Sequence, residues 1–118
     1  MLFTTACTLA AVLATGPAAA RFKKSEDAID YRQSAFTIMS NHMGRLAAMA
    51  KGQIPFDAGQ AQRSAQLIDT VAKLPWEAFV PGWKDKRANV KGDPWANAED
   101  FKALQERLVG ETAKLPAA

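Results

Sequence analysis

Apolar residues recur at every third or fourth position along three stretches of the chain, a repeat that predicts amphipathic α-helices. We expect these helices at about residues 25–51, 57–74 and 97–115. No stretch alternates strictly between apolar and polar residues, so no strand is predicted. The expected apolar face of the first helix consists of Ile29, Phe36, Met39, Met43, Leu46 and Ala50. That of the second consists of Ala61, Ala65, Ile68, Val71 and Ala72, and that of the third of Phe101, Leu104, Leu108 and Leu115.

Glycine and proline separate the predicted helices. Gly52 suits the left-handed position that follows a helix, and Pro75 ends the second helix because its ring clashes with the preceding turn. Residues 76–79, WEAF, follow as a single turn that is expected to anchor aromatic rings in the core. Three amphipathic helices with one long loop predict an all-α fold, an antiparallel helical bundle.

The first 20 residues carry no charge and differ from the rest of the chain. They run largely apolar over residues 2–13 and end in three alanines, a pattern that predicts an export signal cleaved after Ala20. The alternative is an interfacial or buried N-terminal helix. If the signal is cleaved, one bundle domain remains over residues 21–118 and no membrane segment is expected in it.

Charge and cysteine content limit the classes of function that are expected of the chain. Residues 21–118 contain all 15 Lys and Arg and all 12 Asp and Glu, and the excess of +3 is too small for a nucleic-acid partner. We interpret the basic run Lys84, Lys86, Arg87 and Lys91 as a solvated loop. The single cysteine, Cys7, lies in the signal, so neither a disulfide nor a cysteine metal site is expected. No phosphate loop, zinc-binding pair or nucleophile elbow is present, and the chain is not expected to be an enzyme.

Two polar residues interrupt the apolar face of the first helix. Arg32 and Gln33 lie between Ile29 and Phe36, where inward-facing groups need partners because their unpaired burial costs several kcal/mol. One interpretation is that Arg32 lays its methylenes on the core and extends its guanidinium into water. The other is that Arg32 holds an anion at the edge of an apolar cavity, since arginine binds carboxylates with paired hydrogen bonds.

Several segments together resemble the cytochrome c′ family. They are SEDAIDYRQSAFTIMSNHMGR at 25–45, AKGQIPFDA at 50–58, LPWEAFVPG at 74–82, and the pair Pro94-Trp95 before the third helix. The resemblance implies a periplasmic haem protein, usually a homodimer of four-helix bundles, that carries electrons and binds small gases such as nitric oxide. In this family haem c is attached through a C-x-x-C-H motif on the fourth helix, whose histidine binds the iron.

The resemblance also assigns cofactor-binding residues. Arg32 and Gln33 match the haem-contacting pair on the first helix, and Arg32 would meet a haem propionate. Phe36 matches the position that covers the open face of the iron. Trp76 and Phe79 match aromatic residues near the pocket.

The chain departs from the family pattern because it holds neither the fourth helix nor C-x-x-C-H, so covalent haem attachment is not expected in it. A C-terminally truncated cytochrome c′ with a redox partner is one hypothesis. A second is a haem-free periplasmic protein that binds a partner or a small apolar ligand, or a non-functional truncated product. A third is non-covalent haem held by His42 or a methionine, although His42 is expected on the surface or partly exposed, away from the apolar face, and Met39 and Met43 in the core.

Overall fold

The computed structural model describes residues 21–81, 90 and 94–118. Within these residues every regular element is a helix, which confirms the all-α prediction and its three helices. The predicted signal at 1–20 and the basic run of residues 84–91 lie outside the described residues. The elements are α1 at Ser25–Ala50, α2 at Ala58–Val71, a 3₁₀ helix at Pro75–Ala78, α3 at Ala98–Thr112 and a 3₁₀ helix at Leu115–Ala117.

The ends of α1 and α2 follow from local chemistry. Gly52, at a φ of 70°, ends α1: its N–H donates to the Met49 carbonyl at 3.1 Å, and the Gln53 N–H donates to Ala48 at 2.9 Å. The Asp57 carboxylate accepts a hydrogen bond from the Gln60 N–H at 3.0 Å and caps α2.

The second helix is shorter than predicted. It ends at Val71 because the ring of Pro75 clashes with the carbonyl four residues earlier in a regular helix. The chain turns there and continues as the 3₁₀ helix Pro75–Ala78, in the place of the predicted single turn. We call residues 75–79 the aromatic turn, since it carries Trp76 and Phe79.

The buried face of α1 differs from the predicted one. The side chains that are buried are Ala28, Ile29, Arg32, Ala35, Met39 and Met49. Phe36 is 38% exposed, Met43 is 46% exposed, and Ala50 is also exposed, so their assignment to the core is wrong. A seven-residue spacing drifts by about 20° per repeat around a straight helix, which turns the row 29-36-43-50 away from α2.

The third helix is the least buried of the three. Thr112 is its only residue classed as buried, and Leu104 is 65% exposed, so the assignment of Leu104 to the core is wrong. An apolar groove of about 480 Å³ therefore runs between α1, α2 and α3. Its lining residues are Phe36, Met39, Ser40, Met43, Ile68, Leu108, Glu111, Thr112 and Leu115.

None of the helices in the described part of the chain combines the length and the hydropathy that a membrane crossing requires.

Candidate functional site

Arg32 is a buried cation beside the aromatic turn. Its side chain crosses from α1, the Nη1 atom donates to the Ala78 carbonyl at 3.2 Å, and the residue is 3% exposed. The guanidinium carbon lies 4.7 Å from the centroid of the Phe79 ring, a cation–π contact. The sequence-based alternative in which Arg32 reaches into water is therefore wrong.

The guanidinium is incompletely paired. Its Nη2 atom is buried and has no hydrogen-bond partner among the described residues. Burial lowers the pKa of Arg32, because loss of water disfavours the charged form. A buried guanidinium with an unpartnered nitrogen is suited to an anion that supplies the missing acceptor.

Four aromatic rings, which we call the aromatic cluster, pack next to Arg32. They are Phe36, Trp76, Phe79 and Phe101. Trp76 stacks on Phe79 with centroids 5.9 Å apart, and Phe36 meets the edge of Trp76 at 6.1 Å. The structure thus brings together four of the five residues assigned by resemblance: Arg32, Phe36, Trp76 and Phe79.

Phe101 is the residue of the aromatic cluster that was not predicted to lie at the site. Its ring lies 4.9 Å from Phe79 and 5.9 Å from Trp76. The helical repeat placed Phe101 on the inner face of α3, which identified it as a packing residue. No sequence signal connected it to a turn 22 to 25 residues earlier, because that contact depends on how α3 folds back.

Gln33 does not share the inward orientation of Arg32. Successive helical residues point about 100° apart, and Gln33 is exposed where Arg32 is buried. It lines an open depression on the outer side of α1 together with Asp30, Thr37 and Ile38. The expectation that both polar residues face inward is thus wrong for Gln33, and its assignment as a haem contact stays a prediction.

The aromatic turn is held by hydrogen bonds at several points. The Trp76 indole N–H donates to the Ala72 carbonyl at 2.6 Å, and the Trp95 indole N–H donates to the Phe79 carbonyl at 3.1 Å. Each half-buried indole thus has an acceptor, as amphipathic aromatic residues require. These two bonds tie the aromatic turn to the end of α2 and to the segment that precedes α3.

A polar group of three side chains lies on the outer edge of the same turn. The Glu77 carboxylate forms an ion pair with Arg21, and the Tyr31 phenol interacts with the same carboxylate. The interaction with Tyr31 is the main cause that lowers the pKa of Glu77, and the same interaction raises the pKa of the Tyr31 phenol. The two pKa shifts favour the ionised carboxylate of Glu77 and the protonated phenol of Tyr31.

His42 and Met39 both take part in the packing of α1 against α2. The Nδ1 atom of His42 lies 3.0 Å from the Ser64 Oγ, so His42 faces α2 and is half-buried, in agreement with the expected surface or partly exposed position. Met39 packs with Ala35, Val71 and Ala72. Among the described residues, no three His, Cys, Asp or Glu side chains converge as a metal site would require.

Comparison with known proteins identifies the family to which the sequence is similar. The family profile described as Cytochrome C' matches residues 27–118. A cytochrome c' from Rubrivivax gelatinosus is 47% identical over 100 residues, which cover 83% of this chain and 77% of that protein. A cytochrome c' from Alcaligenes xylosoxydans xylosoxydans is 40% identical over 98 residues, covering 83% of this chain and 76% of that protein.

Solved structures agree in fold. The crystal structure of the Rubrivivax gelatinosus cytochrome c' superposes with a TM-score of 0.73 at 47% identity, over 82% of this chain and 77% of that one. The cytochrome c prime from Shewanella frigidimarina superposes with a TM-score of 0.78 at 30% identity, over 81% and 75% of the two chains. On the match of the profile, the curated relatives and the fold, this chain belongs to the cytochrome c′ family.

Proposed function

We propose that Arg32 and the aromatic cluster form the haem-contacting side of an electron-carrying, gas-binding protein of this family. The observation that carries the proposal is the buried Arg32 guanidinium with an unpartnered Nη2 atom next to four aromatic rings. Membership of the cytochrome c′ family supports haem c as the cofactor class.

The described residues fit the edge of a haem. Haem is a flat apolar ring with two carboxylate tails, and Arg32 would hold one carboxylate through charge-assisted hydrogen bonds. The ring would lie against apolar surface, for which the groove beside Phe36 and Met39 offers about 480 Å³. Phe36, at 38% exposure, is free to cover one face of a ring there.

The described residues do not supply the attachment chemistry. Residues 21–118 contain no cysteine for a thioether bond, and their one histidine, His42, contacts Ser64 on α2. When bound, haem supplies a redox-active iron. The residues of this chain would hold its carboxylate, exclude water from the ring with aromatic side chains and restrict access to one face.

We further propose export to the periplasm with cleavage after Ala20, a redox partner there, and assembly as a homodimer. A depression of about 400 Å³ on the outer side of α1 and α2 supports the dimer. Ile38 and Leu74 line it and are 45% and 39% exposed, with buried Val71 at the base. A second copy that covered this patch would remove these apolar side chains from water.

Titration with free-acid and ester porphyrins tests the role of Arg32. Protoporphyrin IX and its dimethyl ester share one ring, but only the free acid offers carboxylates. We expect the protein to bind the free acid about tenfold more tightly, and Arg32→Leu to remove this preference, as measured by quenching of tryptophan fluorescence. Arg45→Leu, an exposed arginine of the same helix, is the matched control and should keep the preference.

Two outcomes would contradict the proposal. Equal affinity of the wild-type protein for the acid and the ester would mean that no carboxylate site operates and would favour a purely apolar ligand in the groove. A preference that persists in Arg32→Leu would place the carboxylate elsewhere.

A further inference from the structure

Two consecutive carbonyls at the end of the aromatic turn each accept a hydrogen bond from a different segment of the chain. The 3₁₀ helix Pro75–Ala78 ends there, and the last carbonyls of a helix have no donor within it. Arg32 of α1 donates to the Ala78 carbonyl at 3.2 Å, and the Trp95 indole donates to the Phe79 carbonyl at 3.1 Å. Two side chains, one from α1 and one from the segment before α3, therefore cap the end of the turn.

Phe79 takes part both in this cap and in the cover over Arg32. Its carbonyl accepts the bond from Trp95, while its ring lies 4.7 Å from the guanidinium carbon. The Phe79 backbone, at a φ of −87° and a ψ of 69°, has left the helical region, so a helical backbone does not hold it. The bond from Trp95 therefore fixes the backbone that carries the covering ring.

The ring of Phe79 is also held from the side of α3. The Phe101 ring lies 4.9 Å from it, and Phe101 follows Trp95 by less than two helical turns. The start of α3 thus reaches Phe79 twice, at its carbonyl through Trp95 and at its ring through Phe101. Of these two contacts, the hydrogen bond is the one that a substitution can remove while an aromatic ring stays in place.

The cover leaves no path for a ligand to the free nitrogen of Arg32. The Nη2 atom is buried and unpartnered among the described residues, and Arg32 as a whole is 3% exposed. A charge-assisted hydrogen bond of about 2.8 Å leaves no room for an intervening atom. A carboxylate that binds Arg32 therefore requires part of the aromatic turn to move aside.

We propose that Trp95 is a positioning residue of the anion site, which holds Phe79 over Arg32 and so sets how readily a carboxylate reaches the guanidinium. This inference rests on the proposed carboxylate-binding role of Arg32. It adds the segment before α3 to a site otherwise assigned to α1, the aromatic turn and Phe101. The contact is suited to such a role because Trp95 is half-buried and its bond joins two neutral groups, which cost little to separate.

Chemical modification of Arg32 tests the role of Trp95 and needs no haem. Phenylglyoxal reacts with accessible guanidinium groups, and peptide mass spectrometry of the full chain gives a rate for each arginine. We expect Arg32 to react far more slowly than the exposed Arg45 in the wild-type protein. Trp95→Phe, which removes the indole N–H and keeps a ring, should accelerate modification of Arg32 roughly three- to tenfold, as expected for loss of one neutral hydrogen bond.

A second variant at the same position separates the hydrogen bond from packing. Trp95→His retains a ring N–H donor but is smaller and more polar than phenylalanine. If the hydrogen bond positions Phe79, Trp95→His should accelerate modification of Arg32 less than Trp95→Phe does. If only packing matters, Trp95→His should accelerate it more.

The matched control removes a comparable bond at the other end of α3. Gln62 donates from its side chain to the Pro116 carbonyl at 2.9 Å, and Gln62→Leu should leave the Arg32 rate unchanged. The Arg45 rate should be the same in every variant, which checks the activity of the reagent. Hydrogen exchange of the α2 amides in Trp95→Phe should remain as in the wild-type protein.

Three results would overturn the role of Trp95. They are an Arg32 rate that Trp95→Phe leaves unchanged, a rate that rises only together with exchange throughout α2, and a larger acceleration in Trp95→His than in Trp95→Phe. The porphyrin titration is independent of these results. If Arg32→Leu fails to alter the preference for the free acid while Trp95→Phe exposes Arg32, Trp95 still shields Arg32 and the carboxylate role fails. The converse pair of results rejects the role of Trp95 alone.

Discussion

Arg32 is the residue of the described chain that combines a buried charge with incomplete hydrogen bonding. A buried guanidinium normally requires several acceptors, yet among the described residues this one has a single carbonyl and one aromatic face. Residues that are incompletely satisfied in isolation are expected where a ligand completes the site. The sequence predicted that Arg32 lies among apolar positions, while its partners, Ala78 and Phe79, were evident only from the packing of the aromatic turn.

At this scale we expect Arg32→Leu to leave the free energy of unfolding of the ligand-free protein unchanged or to raise it by about 1 kcal/mol. The substitution removes a poorly compensated buried charge, and this gain offsets the loss of a partner for the Ala78 carbonyl. Urea unfolding followed by circular dichroism measures this free energy of unfolding, with Arg45→Leu as the exposed control. A loss of more than about 2 kcal/mol would show that Arg32 is mainly a structural tie between α1 and the aromatic turn.

At the scale of elements, the positions of the helices along the chain were predicted better than the faces that they bury. The helical repeat, the Asp57 cap and Gly52 predicted the helices and several of their ends, because these signals act within a few residues. The buried faces were predicted less well. In α1 the core side runs through Ala28 and Ala35, where small side chains let α2 approach closely.

Gly44 inside α1 and Gly52 just after its end should respond in opposite directions to substitution by alanine. Gly52→Ala is expected to lower the free energy of unfolding by about 1 kcal/mol, because a φ of 70° is strained for a residue with a Cβ. Gly44→Ala, inside the helix with open space around the position, is expected to raise it by up to about 1 kcal/mol. Thermal or urea unfolding of the two variants provides the comparison, and a stabilising Gly52→Ala would contradict the assigned end of α1.

At the scale of the whole molecule, apolar surface remains on two sides. The groove beside Phe36 and Met43 lies between α1 and α3, and the depression at Ile38 and Leu74 lies on the outer side of α1 and α2. We assign the first to the ligand and the second to a partner subunit. Each surface therefore has one proposed occupant.

Ile38→Lys is expected to convert the proposed dimer to a monomer, because a lysine in the depression would lose its water on association. Sedimentation velocity at several protein concentrations measures the change. Leu104→Lys, at a position that is 65% exposed on α3, is the matched control and should remain dimeric. Dissociation by Leu104→Lys with no effect of Ile38→Lys would move the interface to the other side of the molecule.

By itself the sequence determined the all-α class, the three helices, the family and the presence of an arginine among apolar positions. These features follow from periodicity, capping and matched motifs, which are local or directly readable along the chain. Only the tertiary structure decided that Arg32 turns inward while Gln33 stays exposed, that Phe101 joins the aromatic cluster, and that Glu77 pairs with Arg21. Such pairings depend on the rotation of each helix against its neighbours, and a drift of about 20° per seven residues is enough to exchange a buried position for an exposed one.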